Sequence, residues 1–510
     1  MVRGLALVAV AIAALACCVS PAAAADRPGA VLWENSFYAS TLGGIDTTAE
    51  GGFIAAGDPL LFPYSVEDTW VRAFRPDGSP DPQFGEGGTV TVTDGRAVDD
   101  VFVQPDGRIL LVASSAPALV RRLTAAGQPD PSYGTDGETE PQVETADYAT
   151  LTSVAPLPDG RLVLAWLRGD RSIVVSRLLA DGAPDLGFGS GGQTVLSPGA
   201  DTAAPVVKLQ PDGGIVLVAS GGPGLLIGRL RSNGTTDPSF GGGAGLTPLQ
   251  SPRPELARRL DVYPVPVVVP GGRIRLGAAF TPRGRRVERS SLIGLTANGH
   301  PDRRFGDRGF APGGPALRLP NDLGYLGGEA PSRLLVDDRG GMLMVSRMWT
   351  DRDDLAAQAR TTIRRFRPDG TLDRSFGRKG GVRLTGMYAS YTAIEHMAAL
   401  AGDRLVVGEH SWDGKYDSST SHRATLTAID TGYDTRGPTV SIRAGCRWVR
   451  VRVHEEVGLD RVVVRIGHRV VRRTTRKPQR FRVRPGMRVA VVAVDLARNV
   501  TRVGTTIPPC

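Results

Sequence analysis

The chain has 510 residues, 41% hydrophobic and 22% charged, with 65 glycines, 38 prolines and a net charge of +9. Only four cysteines and six histidines occur, and His-Glu-x-x-His, Gly-x-Ser-x-Gly, phosphate-loop and Cys-x-x-Cys patterns are all missing, so the common zinc, serine-hydrolase, nucleotide and redox chemistries have no signature. Glycine and proline at this level suit short strands and tight turns, and no long Ala/Leu/Glu/Lys periodicity competes, which makes the class all-β.

In chain order, Met1-Val2-Arg3 precedes an apolar run from Leu5 to Val19 and a small-residue stretch ending at Ala25. That order of charge, apolar core and small residues predicts a secretory signal over residues 1–25, and hence a secreted or cell-surface protein. Lipid attachment at Cys17 is the weaker alternative, because Ala14 stands where such sites usually have Leu. Cys17 and Cys18 lie inside the signal, which leaves Cys446 and Cys510 to pair in an oxidising compartment. Closing that loop contributes about 4 kcal/mol in the chain-entropy model. No later apolar stretch is long enough to span a bilayer.

From near residue 30 to residue 434 two motifs alternate. The first is Arg75-Pro-Asp77-Gly78-Ser-Pro-Asp81-Pro82-Gln-Phe84-Gly85, repeated as Asp181-Gly-Ala-Pro-Asp185-Leu-Gly-Phe188-Gly189, Asn233 to Gly241, Asn298 to Gly306 and Asp369 to Gly377. A variant, Ala126 to Gly134, carries Tyr133 in place of Phe. The second is Gln104-Pro-Asp106-Gly107-Arg-Ile-Leu-Leu-Val, repeated around Asp159-Gly160, Asp212-Gly213 and Gly271-Gly272, with weaker copies at Gly51-Gly52, Gly340-Gly341 and Gly402-Asp403. Asp-Gly turns between apolar runs are hairpin signals, because the turn needs positive φ. Each period therefore predicts a hairpin, a third strand such as Leu119–Leu123 and a fourth such as Thr89–Val92. Asp81 caps one helical turn at Pro82–Gly85 in this reading, with Phe84 tucked beneath as a plug.

Four strands per unit predict a β-propeller of about seven four-stranded blades over residues 30–434. The stretch Ala30–Asn35 is expected to pair with the last blade and close the ring. The two motifs together resemble the delta-60 repeat family of bacterial exported proteins, a β-propeller domain of unknown function, over roughly residues 45–434. The resemblance implies architecture and export, and carries no catalytic residues across. The seventh unit, near Ala424–Thr431, lacks the Phe-Gly element.

Residues 437–510 change texture. Trp448–Val453, Arg461–Ile466, Arg480–Arg484 and Arg488–Val494 predict a small β-sandwich with arginine on its wet face. The ending Asp495-Leu-Ala-Arg498-Asn499 is similar to the Asp-x-Ala-Gly-Asn strand end of immunoglobulin-like modules, with Arg498 at the glycine position. This tail holds 17 Lys and Arg against four acidic residues, so it is about +13 and the rest of the chain about −4. Attachment to an anionic surface is one consequence; an arginine excess from GC-rich coding is the other.

The repeated Asp pairs (Asp77/Asp81, Asp181/Asp185, Asp369/Asp373) raise calcium against turn capping. Asn233, Asn298 and Ala126 replace the first Asp, which a turn accepts more readily than a ligand set does. No metal or cofactor is therefore expected. One cluster falls outside the repeat: a hairpin turning at Gly402-Asp403 puts Glu395 opposite His410 and His396 opposite Glu409, as cross-strand ion pairs or as a metal or acid–base group.

In an up-and-down blade the repeat-like connections share one face of the ring and the variable ones share the other. Ligand-face candidates are Arg168, Asp170, Arg171, Arg283, Arg285, Arg286, Trp349, Asp351, Asp353, Trp412, Asp413, Lys415 and Tyr416. The expectation is a monomeric, non-catalytic binding or scaffold protein that recognises a protein, a glycan or an anionic cell-envelope polymer, without specific nucleic-acid binding. The alternative is an extracellular lyase or glycosidase using loop carboxylates such as Asp353 or Asp413.

Overall fold

The computed structural model describes residues 28–38, 42–58, 68–92, 96–115, 117–143, 148–198, 202–221, 224–241, 243, 245–249, 257–282, 289–313, 329–348, 360–378, 380–384, 397–412, 422–433, 437–454, 459–474 and 480–510. The expected signal, 1–25, lies outside them. The described residues contain no helix, and none long and apolar enough to cross a membrane.

Seven four-stranded antiparallel sheets follow one another along the chain as blades. Blade 1 is Gly44–Thr47, Phe53–Gly57, Thr69–Phe74 and Thr89–Val92; blade 2 is Asp100–Val103, Ile109–Ala113, Leu119–Leu123 and Glu138–Thr139. The first strands of blades 3 to 7 are Ala149–Pro156, Ala203–Leu209, Ala257–Val268, Glu329–Val336 and Met397–Ala401. These inner strands stand beside one another, and that of blade 7 touches that of blade 1, which closes the circle. Second strands such as Ile109–Ala113 are buried at every position, because a neighbouring blade covers each of their faces. A separate apolar core fills each of the seven seams; Ile54, Val71 and Phe84 of blade 1, for example, meet Val101, Ile109 and Leu111 of blade 2.

The last seam needs the N-terminus. Val31–Tyr38 pairs with His422–Asp430 as the outer strand of blade 7, as expected for ring closure. Trp33 on that strand stands in for the Phe that the seventh unit lacks. It stacks on Phe53 of blade 1, and Gly78 lies so close that a Cβ there would sit 2.7 Å from the Trp33 ring. Pro28-Gly29 likewise replaces the missing Asp-Gly turn, its Pro28 carbonyl accepting the Gly377 N–H at 2.8 Å.

The repeated motif is a stitch between blades. Asp77 accepts the Ser79 N–H (2.9 Å) and hydroxyl (2.6 Å), and Asp81 accepts the Gln83 N–H (3.1 Å). The carboxylates thus serve their own turns. Phe84 is 2% exposed, a plug as expected, but Pro82–Gly85 forms a single hydrogen-bonded turn in place of the helical turn, because Gly85 takes φ of 50° at once. The Gly85 N–H then donates to Ala126 of the next blade, and Gly134, Gly189, Gly241 and Gly306 do the same onto the following turn.

A buried arginine completes the stitch in four of the blades. Arg122 donates to Asp130 (2.7 Å), to Ser132 and to the Ala180 carbonyl of the next blade, and its guanidinium lies 4.5 Å from the Tyr133 ring. Arg177, Arg275 and Arg365 pair with Asp185, Asp302 and Asp373, and cover Phe188, Phe305 and Phe376. The guanidinium fork suits this double task of pairing and stacking.

Residues 437–510 form a three-stranded sheet (Thr439–Gly445, Trp448–His454, Arg480–Arg482) and a four-stranded one ordered Arg469–Thr474, Leu459–Ile466, Arg488–Asp495, Val500–Thr506. The two face each other across a shared core of Val449, Val451, Val462, Val464, Val489 and Val491, which is the expected sandwich. Cys446 and Cys510 form the disulfide, with Cα atoms 5.0 Å apart.

Candidate functional site

The inner strands of the ring enclose a channel of about 880 Å³, lined by the first strands of blades 1 to 6. Hairpin register decides which residues share a height in it. Counting back from each Asp-Gly or Gly-Gly turn, Asp100 opposite Val112 and Arg333 opposite Val345 stand at one level, with Ser153 opposite Ala165. Two residues nearer the turns, Asp46 opposite Ile54 and Lys208 opposite Val216 share a second level with Phe102. Alternate residues of a strand face the same way, so the two tiers are about 7 Å apart. The residues between them, such as Val101, Val207 and Leu334, are buried and belong to the apolar cores of the seams.

Each tier therefore carries one acid and one base. The acids come from the adjacent blades 1 and 2, the bases from blades 4 and 6, so the channel wall is polarised. Asp46 is anchored at both oxygens, accepting the Thr47 N–H and the Val103 N–H of the next blade, each at 2.8 Å. Burial nevertheless pushes its carboxyl up to about 6, those two hydrogen bonds opposing the rise and Asp100 adding to it. Burial also raises Asp100, which keeps one side open to the channel but is walled by protein elsewhere; the Arg333 and Lys208 charges hold it down in part. Lys208 is lowered by burial, with Asp100 opposing and Arg333 reinforcing that shift. Asp100, Lys208 and Arg333 influence one another and so lie within electrostatic reach in one cavity. Such a wall favours a ligand that offers a cationic or donor group to one side and an anionic or acceptor group to the other. Among the described residues no group of three or more His, Cys, Asp or Glu could hold a metal ion.

One family model supports the architecture. Residues 210–240 and 352–376 match the model of a domain of unknown function, DUF5122, described as a β-propeller. No curated protein matches the chain. Among solved structures, a protein of unknown function from Bacteroides caccae is similar over 65% of this chain and 98% of its own, at 10% identity and a TM-score of 0.33. Chaetomium thermophilum Raptor is similar over 78% of this chain and 29% of its own, at 14% identity and TM-score 0.43. The polysaccharide lyase Uly1 is similar over 78% of this chain and 90% of its own, at 11% identity and TM-score 0.41.

Of the residues singled out from the sequence, Arg168, Asp170 and Arg171 form one tight connection of blade 3, between its second and third strands. Asp170 turns its carboxylate on Ser172, accepting the N–H at 2.9 Å and the hydroxyl at 2.6 Å, and Arg171 takes φ of 68°. Arg283, Arg285, Arg286, Trp349, Asp351, Asp353, Asp413, Lys415 and Tyr416 lie outside the described residues, as do Glu395 and His396. Trp412 ends the strand Arg404–Trp412, opposite His422. The hairpin register expected there holds as far as Met397 opposite Gly408. Beyond it, Glu409, 9% exposed, accepts the Thr361 hydroxyl of blade 6, and His410 pairs with Ala424. The channel residues were missed from sequence. Their signal is a charged residue in the run just before a hairpin turn, at positions where sister units carry Phe102, Ser153, Val206 or Leu335.

Proposed function

We propose that the chain is an exported, non-catalytic binding propeller of the delta-60 repeat kind, carrying an immunoglobulin-like tail, and that it holds a small dipolar ligand in the channel of the ring. The observation that carries this reading is the pair of acid–base tiers, Asp100 with Arg333 and Asp46 with Lys208, inside a cavity of drug-like size. Burial shifts Asp46, Asp100 and Lys208 toward their neutral forms, and groups perturbed in that way around one cavity mark a candidate ligand site.

A thermal-shift screen of small zwitterions and polyols, run on wild type and on Arg333→Gln, tests the proposal. Hits that stabilise wild type and lose their effect in the variant support it; hits that stabilise both equally refute it. A second reading, an extracellular lyase or glycosidase, is favoured by one observation. A carboxyl raised by burial to about 6, Asp46, and a lysine lowered by burial, Lys208, line the same channel, and acid–base chemistry uses groups shifted in those directions. Turnover of polysaccharides by wild type that disappears in Asp46→Asn would establish that reading over simple binding.

A further inference from the structure

The strongest charge feature outside the ring is the outer face of the three-stranded sheet. Register puts Arg443 opposite Arg450, and Arg450 opposite Arg480, so three guanidiniums form one row across three strands. Arg452, opposite Ser441, and Arg482, opposite Trp448, lie on the same face in the flanking rows. All five arginines are exposed, and their strand neighbours Val449, Val451 and Val453 point into the core. Among the described residues none of the five reaches a carboxylate. Asp460 sits on the opposite sheet and Asp495 is fully buried.

Like charges directly opposite one another destabilise a sheet. A row of three across neighbouring strands, about 4.8 Å apart, is the least comfortable arrangement of such residues. An anion on that face removes the penalty. From this geometry we infer that the face docks a flexible linear phosphodiester polymer, whose regularly spaced negative charges lie across the rows and are gripped by guanidinium forks.

The same face argues against other polyanions. It exposes no apolar side chain to insert among lipid tails. Its one aromatic residue, Trp448, is half-buried with the Arg480 guanidinium 5.0 Å over its ring, and so offers no platform for a base or a sugar. The chemistry left is repeated charge on a flexible backbone.

The test uses the full chain and poly(glycerol phosphate), with binding measured by anisotropy between 50 and 200 mM salt. Five contacts on a flexible chain predict a log–log salt slope of about −3.5, a loss of roughly a hundredfold across that range. Arg450→Gln/Arg480→Gln lowers the slope to about −2 and the loss to roughly twentyfold. Arg472→Gln/Arg473→Gln, which removes the same charge from exposed positions of the other sheet, leaves the slope where it was. Because the first pair relieves repulsion, its melting temperature should not fall, which separates lost binding from lost folding. Equal effects of the two double variants would overturn the inference. So would tighter binding to a DNA oligonucleotide, to a polyuronate or to anionic vesicles.

Discussion

Asp46→Asn is the substitution whose effect on stability should reverse with pH. Burial holds the Asp46 carboxyl at about 6, against the 3.8 expected of the unfolded chain. A carboxyl harder to ionise in the folded state favours folding while it is protonated. Its contribution is fully present below pH 4 and is lost as pH rises through 4 to 6. That difference is worth about 3 kcal/mol of stability forgone at pH 8. Asn carries no charge and avoids that loss. It keeps an acceptor for only one of the two N–H donors, Thr47 and Val103, and turns an amide N–H toward the other, which costs about 1 kcal/mol. The variant should therefore be less stable than wild type by about 1 kcal/mol at pH 4 and more stable by about 2 kcal/mol at pH 8. Urea unfolding at the two pH values, at equal ionic strength, measures both differences. A variant destabilised by the same amount at pH 4 and pH 8 would refute the reasoning.

Three further predictions concern the scaffold. Arg365, fully buried and bonded to Asp373 and to the Thr431 carbonyl, should cost about 3–5 kcal/mol when changed to Ala, because Asp373 stays behind in the interior; calorimetry reads this as a large fall in melting temperature. Trp33→Ala should cost about 3–5 kcal/mol and open the ring at its closure. Hydrogen exchange would then rise in His422–Asp430 and Phe53–Gly57 well before Ile215–Gly221, and uniform exchange around the ring would count against Trp33 as the closing plug. Arg498 holds φ of 72°, a conformation glycine adopts freely, so Arg498→Gly should raise stability by about 0.5–1 kcal/mol; a lowered melting temperature would show that its side chain matters more than its backbone.

Much of the scaffold was legible in the residues because its signals are local. Asp77-Gly78 and Asp106-Gly107 announce turns through the φ they require, and both glycines take φ of 84°. The missing Phe of unit seven, read from sequence as degeneracy, is supplied by Trp33 from the other end of the chain, a substitution visible only once the strand is paired. The Arg–Asp–aromatic stitch went unread because charged residues in a strand suggest a wet face, whereas Arg122 is covered by the next blade. The channel was illegible for a related reason. Asp46, Asp100, Lys208 and Arg333 sit on four blades at two different distances from their turns, and only the ring brings them to one channel. The variable loops drew attention by their irregularity, yet Asp170 is occupied with its own turn.

The claim that the ring binds its ligand in the channel is tested most directly by the affinity of one compound, the strongest hit of the zwitterion and polyol screen, for wild type, Asp100→Asn and Asp170→Ala. The account predicts that Asp100→Asn weakens binding tenfold or more, as the loss of a partly buried charge contact should, while Asp170→Ala leaves it unchanged. Binding that survives Asp100→Asn and fails in Asp170→Ala would move the site out of the channel and onto the loops.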